Sequence, residues 1–291
     1  MAAAKGSMFD PKLVTDLINK VKGKSSLAKL CTQTPIPFNG MKEFTFTMDS
    51  EMDIVAEGGE KGHGGITLNP VTILPIKFEY GARVSDEFLN AAEEEKLAVL
   101  EAFNDGFAAK AASALDIAAF HGINPRTGAA STVVGDNHFD KKVTQKVTYS
   151  GADVDANIEA AIALVEGAEG EVSGMAISPV CRQALAALKN SANERLYPEL
   201  AWGGNPGTIN GLQVDVNKTV SNGDVDQAIV GDFENMFKWG YAKEIPLEII
   251  EYGDPDNSGK DLKGHNQVYI RAEVYMGWGI MDPNSFARIG V

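Results

Sequence analysis

Glu43-Phe44-Thr45-Phe46-Thr47-Met48 runs into Gly58-Gly59-Glu60-Lys61-Gly62-His63-Gly64-Gly65, and the extended stretch Ile66 to Val84 comes back. Phe44, Phe46 and Met48 alternate, so a strand points all three to one face. Five glycines in eight residues, Gly58 to Gly65, concentrate turn chemistry between the two arms. Ile66 and Leu68, then Val71, Ile73 and Pro75, resume an extended pattern with a change of phase. A hairpin this long, mostly polar and tipped with glycine, has little core of its own. It reads as an arm that lies on another molecule, which favours assembly over catalysis.

An alanine-rich run follows, and its pattern predicts one unbroken helix from Ser85 to about Phe120. Ser85 is the expected cap, with Asp86-Glu87 in the first turn where acids favour the helix dipole. Phe88, Ala92, Val99, Phe103, Phe107, Ala111, Ala114 and Ala118 recur at gaps of mostly 3, 4 or 7, which predicts one buried stripe. No proline interrupts the run, and Gly106 is its weak point. About 36 residues at ~1.5 Å each give a rod of roughly 54 Å. His121-Gly122, with Asn124-Pro125 beyond, forms the stop.

Outward from this centre, Phe9 to Leu30 reads as an amphipathic helix with Asp10 as cap and Pro11 at its first position. Pro35-Ile36-Pro37 forces extended chain. Residues 126–150 read as loop with short strands. A second amphipathic helix spans Asp153 to Ala168, with Ile158, Ala161, Ile162 and Val165 inward. Gly174-Met175-Ala176-Ile177 reads as a buried strand, and Ser178-Pro179 opens a third helix to about Lys189. A glycine-rich loop carries Trp202-Gly203-Gly204-Asn205-Pro206-Gly207. Strands are expected at Gln213–Asn217, Gln227–Asp232, Met236–Tyr241, Leu247–Tyr252 and Gln267–Met281, with a turn at Gly253 to Gly259 between the last two.

The 291 residues suit one large domain or two intimate ones. With 44% hydrophobic and 23% charged residues, the composition is globular rather than disordered. No apolar run approaches the roughly 20 residues that span a bilayer, so no membrane role is expected. The net charge of −14 is uneven: residues 1–30 carry six lysines against Asp10 and Asp16, a balance of +4, and the remainder carries −18. Such an acidic body argues against tight wrapping by nucleic acid, which needs clustered Lys and Arg. Cys31 and Cys181 have no metal-ligand spacing and read as two reduced thiols, with an intermolecular disulfide as the alternative. Gly58-Gly59-Glu60-Lys61-Gly62 lacks the frame of a P-loop, and no glycine motif opens a helix. His63, His121, His138 and His265 lack metal-ligand spacing and read as surface or turn residues. No nucleophile stands beside a recognisable base, and no cofactor is expected.

Several stretches together resemble the major capsid proteins of tailed bacteriophages, the Hong Kong phage-type capsid fold also used by encapsulin nanocompartments. Ile54-Val55-Ala56-Glu57-Gly58 followed by a lysine is similar to the family's extended-loop segment. Ala82-Arg83-Val84-Ser85-Asp86-Glu87-Phe88-Leu89 resembles the lead-in to its spine helix. Gly174 to Pro179 resembles the strand-to-helix step of the axial domain, and Gly211-Leu212-Gln213-Val214 the strand after the axial loop. Ile270-Arg271-Ala272-Glu273 and Met281 to Ala287 look like the closing strand and tail. The likeness covers most of residues 40–291, through the order and spacing of these segments rather than any single motif.

The resemblance implies an α+β chain: an N-terminal arm (1–40), an extended β-hairpin loop (41–80), a peripheral domain around a long spine helix (81–149 and 233–291) and an axial domain (150–232). It implies a shell protein of pentamers and hexamers in an icosahedral phage head enclosing double-stranded DNA, located in the virion capsid and assembled in the host cytoplasm. Partners would be copies of the chain, a portal, and a separate scaffolding protein or none. Gly58, Gly59, Lys61, Gly62 and Trp202 are the expected assembly residues. Some members weld their shells by an isopeptide bond; carried over residue by residue, that set falls on Lys61, Asn266 and Glu273. Asn266 and Glu273 are seven apart, so a regular strand points them to opposite faces, and a weld would need different subunits or a bulge. Rival readings are an encapsulin-type shell and a soluble α/β enzyme with a dimerisation arm.

Overall fold

The computed structural model describes residues 24–87, 93–223 and 225–291. The expected cap Asp10, Pro11 and most of the first helix lie outside these residues, as do Phe88 and Ala92 of the stripe. The hairpin forms as read. Strand β1 (Met41–Met48) pairs antiparallel with β2 (Ile66–Ile73), Met41 opposite Ile73 and Met48 opposite Ile66. Pairing continues past the strands, where the Asp49 N–H donates to the Gly65 carbonyl at 3.0 Å. The turn closes at Ala56–Gly59, where the Gly59 N–H reaches the Ala56 carbonyl at 2.9 Å and Gly58 takes φ +78°. The returning arm is not one strand. Leu74-Pro75 ends β2, since proline offers no ladder N–H. The next strand, β3 (Ile76–Ser85), leaves for a different sheet; the change of phase falls earlier, between Leu68 and Val71, within β2 itself.

That sheet has the order β3-β10-β9, built from the 14-residue strands β9 (Phe237–Ile250) and β10 (Gln267–Ile280). The sequence pattern splits β9 in two around Pro246. The structure instead keeps one strand and absorbs the irregularity in register shifts opposite Arg271/Glu273 and Tyr275/Met276. Residues 33–36 run alongside β9, with the Thr34 N–H on the Trp239 carbonyl and the Ile36 N–H on that of Tyr241. Gly240 permits this: a Cβ there would stand 1.7 Å from the Thr34 carbonyl oxygen.

Across this sheet lies the long helix, seen here as α2 (Glu93–His121) after the short α1 (Ser26–Leu30). Ser85 ends β3, and its hydroxyl accepts from the Glu87 N–H at 3.3 Å in the manner of a cap; whether the helix runs unbroken from there to Glu93 falls outside the described residues. The helix stops at His121, and Gly122 takes φ +67°. Its burial is wider than one stripe, and it is uneven. Val99 is exposed, whereas Phe107, Ala108, Ala111, Ala112, Leu115, Ala118 and Ala119 are buried. The C-terminal half runs between two layers, so neighbours cover it from more than one side. In the loop region, α3 (Phe139–Lys142) sets Phe139 against Phe120, Phe233, Phe237 and Phe286, with ring centroids 5.0 to 6.0 Å apart.

The second layer is a six-stranded sheet of order β4-β11-β8-β5-β7-β6. Its strands are β4 (Lys146–Thr148), β5 (Gly174–Ile177), β6 (Thr208–Ile209), β7 (Leu212–Val216), β8 (Asp226–Gly231) and β11 (Phe286–Gly290). Helices α4 (Val154–Gly167) and α5 (Pro179–Ala187) bury Ile158, Ala161, Val165, Cys181 and Leu185 in its core. Ser178 caps α5 by accepting from the Cys181 N–H at 3.0 Å. Ile162 is only partly buried. The sheet draws β4 and β11 from outside residues 150–232, because the closing tail crosses over to pair with β8 instead of staying with β10. Among the described residues no helix is long and apolar enough to cross a membrane.

A polar clasp joins the layers. Asp116 of α2 is fully buried and accepts from five donors: the Ser25 hydroxyl, the Ser26 and Leu27 N–H groups (2.9 and 3.3 Å), the Thr219 hydroxyl (2.8 Å) and the Asn217 amide (3.3 Å). Asp215 of β7 accepts from the Ser26 hydroxyl (2.6 Å), Lys29 Nζ (2.5 Å) and the Asn205 amide (2.9 Å). The segment holding α1 is therefore pinned between a carboxylate of the helix and one of the sheet. Asp116→Ala orphans several buried donors at once, and a loss of about 3 kcal/mol in denaturant-unfolding stability is expected. A near-neutral result would mean that the clasp holds nothing together.

Candidate functional site

The hairpin leaves one apolar face uncovered. Across its two strands Phe44 stands opposite Pro70, Phe46 opposite Leu68 and Met48 opposite Ile66, and each large side chain among them is more than half exposed. The reverse face carries Thr45, Thr47, Thr67 and Asn69. Fully burying a side chain of this size stabilises by about 1.5–3 kcal/mol, so the face withholds several kcal/mol until something covers it. Beyond the strands Met52 and Ile54 are 94% and 98% exposed. At the tip Gly58 has open space around it, Lys61 is exposed, and Gly62 runs close to Asp53. On the six-stranded module Trp202 is 99% exposed, with φ +58° and Gly203 at φ +84° beside it. A bulky residue rarely takes that backbone conformation, and a lone indole in water gains nothing within one subunit.

The cross-linking set is not assembled in one chain. Lys61 is at the hairpin tip. Asn266 sits at φ +52° just before β10, where its carbonyl accepts from the Asp86 N–H at 3.0 Å. Glu273 lies about 20 Å further along the strand. It is 6% exposed, and its carboxylate is taken by Lys77 of β3 at 2.6 Å, with Arg271 Nε at 3.5 Å. Beside Asn266, Arg83 of β3 fastens the β9–β10 loop. Its Nη2 meets oxygens of Asp254, Asp256 and Ser258 at 2.6 Å and the Lys260 carbonyl at 2.8 Å. These oxygens follow the spacing of a calcium loop with Gly259 at its turn position, and a guanidinium stands where such a loop would hold its ion.

Behind the surfaces, at the end of α2, a charged cluster contradicts the reading of His121 as a surface or turn residue. His121 is buried between two acceptors: Nδ1 is 2.9 Å from an Asp140 carboxylate oxygen and Nε2 is 3.0 Å from the Thr219 carbonyl. Only the imidazolium donates to both. Burial pulls the His121 pKa down, but Asp140 and the Thr219 carbonyl carry it above its ordinary value. Arg288 of β11 bridges Asp226 (2.8 Å) and Asp140 (3.0 Å), so two cations face two carboxylates. Burial, with the neighbouring Asp140, raises Asp226 against the pull of Arg288. Burial also lifts Asp116 to about 6 despite its donors. His121, Asp140 and Asp226 offer ligand atoms within 4.8 Å of one another, the arrangement a metal would need. Arg288 already fills the cationic position there, and both His121 nitrogens are engaged. Cys31 and Cys181 lie in separate cores, and burial pushes each thiol up to about 12, which keeps them protonated and inert.

A subunit with an uncovered apolar ribbon, an outlying tryptophan and a firmly joined two-layer body is completed only by other subunits: it is a shell-forming structural protein. The phage capsid family matches residues 6–290. A structure from Mycobacterium phage Ogopogo is 33% identical, covers 92% of each chain and superposes with a TM-score of 0.79. One from Gordonia phage Cozz is 25% identical over 92% of this chain and 86% of the other, at 0.75. The capsid of an empty GTA particle shares the fold at 15% identity, over 92% and 90% of the two chains, with a TM-score of 0.64. No curated protein matches. The chain belongs to the phage capsid family and is a major capsid protein, a structural component of the virion shell; the encapsulin and enzyme readings are not favoured.

The junction gives this subunit a pH dependence. His121 is raised from 6.5, so its contribution is full below that value and is lost as pH rises through the higher folded pKa. Asp116 and Asp226 are raised from 3.8, so the cost of ionising them in the fold is relieved as pH falls from about 6. Both effects have the same sign. The thermal midpoint of the unassembled chain is expected to be higher at about pH 5 than at about pH 8. His121→Ala should lower the midpoint most on the acid side and least on the alkaline side. A deficit that does not change with pH would refute the imidazolium assignment.

Proposed function

We propose that the chain builds both the pentamers and the hexamers of an icosahedral head that encloses double-stranded DNA. A scaffolding protein and a portal are the proposed partners, and the host cytoplasm the place of assembly. The observation that carries this reading is the uncovered face of Phe44, Phe46, Met48, Ile66 and Leu68. In this proposal the ribbon lies over a neighbour, with Gly58, Gly59, Lys61 and Gly62 at its contacting end. Residues 1–40 act as an arm, and residues 81–149 with 233–291 as the peripheral region around the spine helix. Residues 150–232 form the axial region, which brings Trp202 to the five- and six-fold centres. The acidic body suits a wall that packaged DNA slides against rather than grips.

We also infer a shell without isopeptide welds. Lysine attack on an asparagine amide needs a base in an apolar site, and the Glu273 carboxylate is already paired with Lys77. Boiled mature particles should run as a 31.1 kDa monomer on a denaturing gel; a ladder of linked chains would falsify this. Negative-stain electron microscopy of the recombinant protein tests the assembly. Closed uniform shells, or rings of five and six, are expected. A monodisperse monomer or dimer, even with neighbouring phage genes co-expressed, overturns the reading. Phe46→Asp with Leu68→Asp should fold, since both side chains are exposed, yet lose assembly.

A further inference from the structure

We propose that the groove beside the spine helix faces the inside of the shell and holds the phosphate backbone of the packaged double-stranded DNA. This deepens the shell reading and rests on it. The groove has a volume of about 850 Å³ and runs between β3, the buried half of α2, the loop after α2 and the turn at Lys218–Asn222. In a chain of net charge −14, its lining carries Lys77, Lys110, Arg126 and Lys218 against Glu79 alone. Lys77 is spent on Glu273 and Glu79. Lys110, Arg126 and Lys218 are exposed and have no ion-pair partner among the described residues. They come from a helix, a loop and a distant turn, so it is the fold that gathers them.

A phosphate backbone matches what this lining offers. The three cations supply charge, and Ser131, Ser221 and Asn222 supply hydroxyl and amide donors for phosphate oxygens. Phe78 and Ile117 are partly buried and form the floor, beneath the exposed charged ends. Phosphate contacts carry no sequence information, which suits a contact repeated at every copy of the subunit whatever sequence lies against it. The contact is also weak. Three neutralised phosphates give a salt slope of about −2.7, against about −10 for a repressor that grips its operator. The acidic remainder of the wall repels DNA between these points, so the duplex is spaced along the wall rather than bound fast to it. The charge distribution sets the orientation as well. The hairpin beyond β1 carries Asp49, Glu51, Asp53, Glu57 and Glu60 against Lys61, a surface that repels phosphate. In the proposed shell that arm belongs away from the DNA, and the cationic groove toward it.

Cryo-electron microscopy of DNA-filled heads reads the contact directly. The groove should open on the inner surface, with density joining the outermost DNA layer to Lys110, Arg126 and Lys218. A groove on the outer surface, or one that protein density fills in emptied heads, overturns the proposal. Lys110→Glu with Lys218→Glu, at two exposed positions, tests the charge. Shells should form at the wild-type yield, since no subunit contact is touched. In the variant heads the joining density should be lost, and the outermost DNA layer should move inward by a distance within the Debye length of about 8 Å. An unshifted layer refutes the contact, and so does lost assembly in a variant whose circular dichroism is unchanged. Should that variant not fold, amine acylation of wild-type heads decides the matter. Lys110 and Lys218 should be labelled in emptied heads and protected in filled ones, with Lys61 labelled alike in both. Equal labelling of Lys110 and Lys218 in the two kinds of head rules the contact out. A wild-type chain that forms no shells or rings sinks both the shell assembly and the DNA contact. Wild-type shells with an outward groove, an unshifted DNA layer or equal labelling sink only the DNA contact.

Discussion

Two carboxylates on different layers grip one short stretch of chain, and the rest of the subunit depends on that grip. Asp116 rides on the spine helix and Asp215 on the six-stranded sheet; Ser25 and Ser26 stand between them. The layers also share an apolar core, in which Ala176, Ile229 and Phe286 of the six-stranded sheet pack with Phe237, Trp278 and the buried half of α2, and the clasp adds fixed polar contacts at its edge. A buried carboxylate is costly unless every lone pair is used. Here the donors come from three separate places in the sequence, so the satisfied state exists in one arrangement of helix, sheet and leading segment only. The clasp thus specifies orientation more than it adds net stability. Orientation is what a shell subunit must hold constant, since angular errors repeat at every copy.

The hairpin obeys the opposite logic. A two-stranded ribbon is marginal by itself in water, and this one keeps its apolar face in solvent. Folding of the single chain leaves that area available to the next binding event. The transfer free energy that would normally close a core is therefore held for subunit contact, where it is realised only when a neighbour arrives. The Leu74-Pro75 break separates the ribbon from β3, which is anchored in the other sheet.

The hairpin was legible because it obeys a period-two pattern and ends in glycines, both strictly local signals. The β5–Ser178–Pro179–α5 step was legible almost to the residue for the same reason: strand, cap and first-turn proline are adjacent. What escaped was non-local. Nothing in residues 66–84 says that the return arm changes sheets, and nothing in Phe286–Gly290 says that the last strand crosses to β8. Pro246 suggests a break, yet a register shift with β10 keeps β9 continuous. The His121 cluster unites residues 121, 140, 226 and 288, which no spacing rule connects. Asp116 did leave a trace: it is the sole charged residue between Lys110 and His121, in a helix half that is otherwise apolar or small. A single acid in such a run marks either a solvent-facing position or a buried partner, and only tertiary structure separates the two.

In the proposed head, one chain that closes rings of five and of six would have to present the same contacts at two angles. The variable part then has to lie where deformation is cheap. The body is a poor candidate, because tilting α2 against the six-stranded sheet would strip donors from Asp116 and draw His121 away from the Thr219 carbonyl. The ribbon is a better one: it is attached through a proline-marked break, it has no second layer over it, and its charges act over several ångströms without a fixed geometry. Contacts made by a flexible acidic, apolar arm tolerate a change of angle that a close-packed rigid interface does not. On this division of labour the buried junction sets the shape of the subunit, and in the proposed shell the exposed hairpin would absorb the difference between its neighbours.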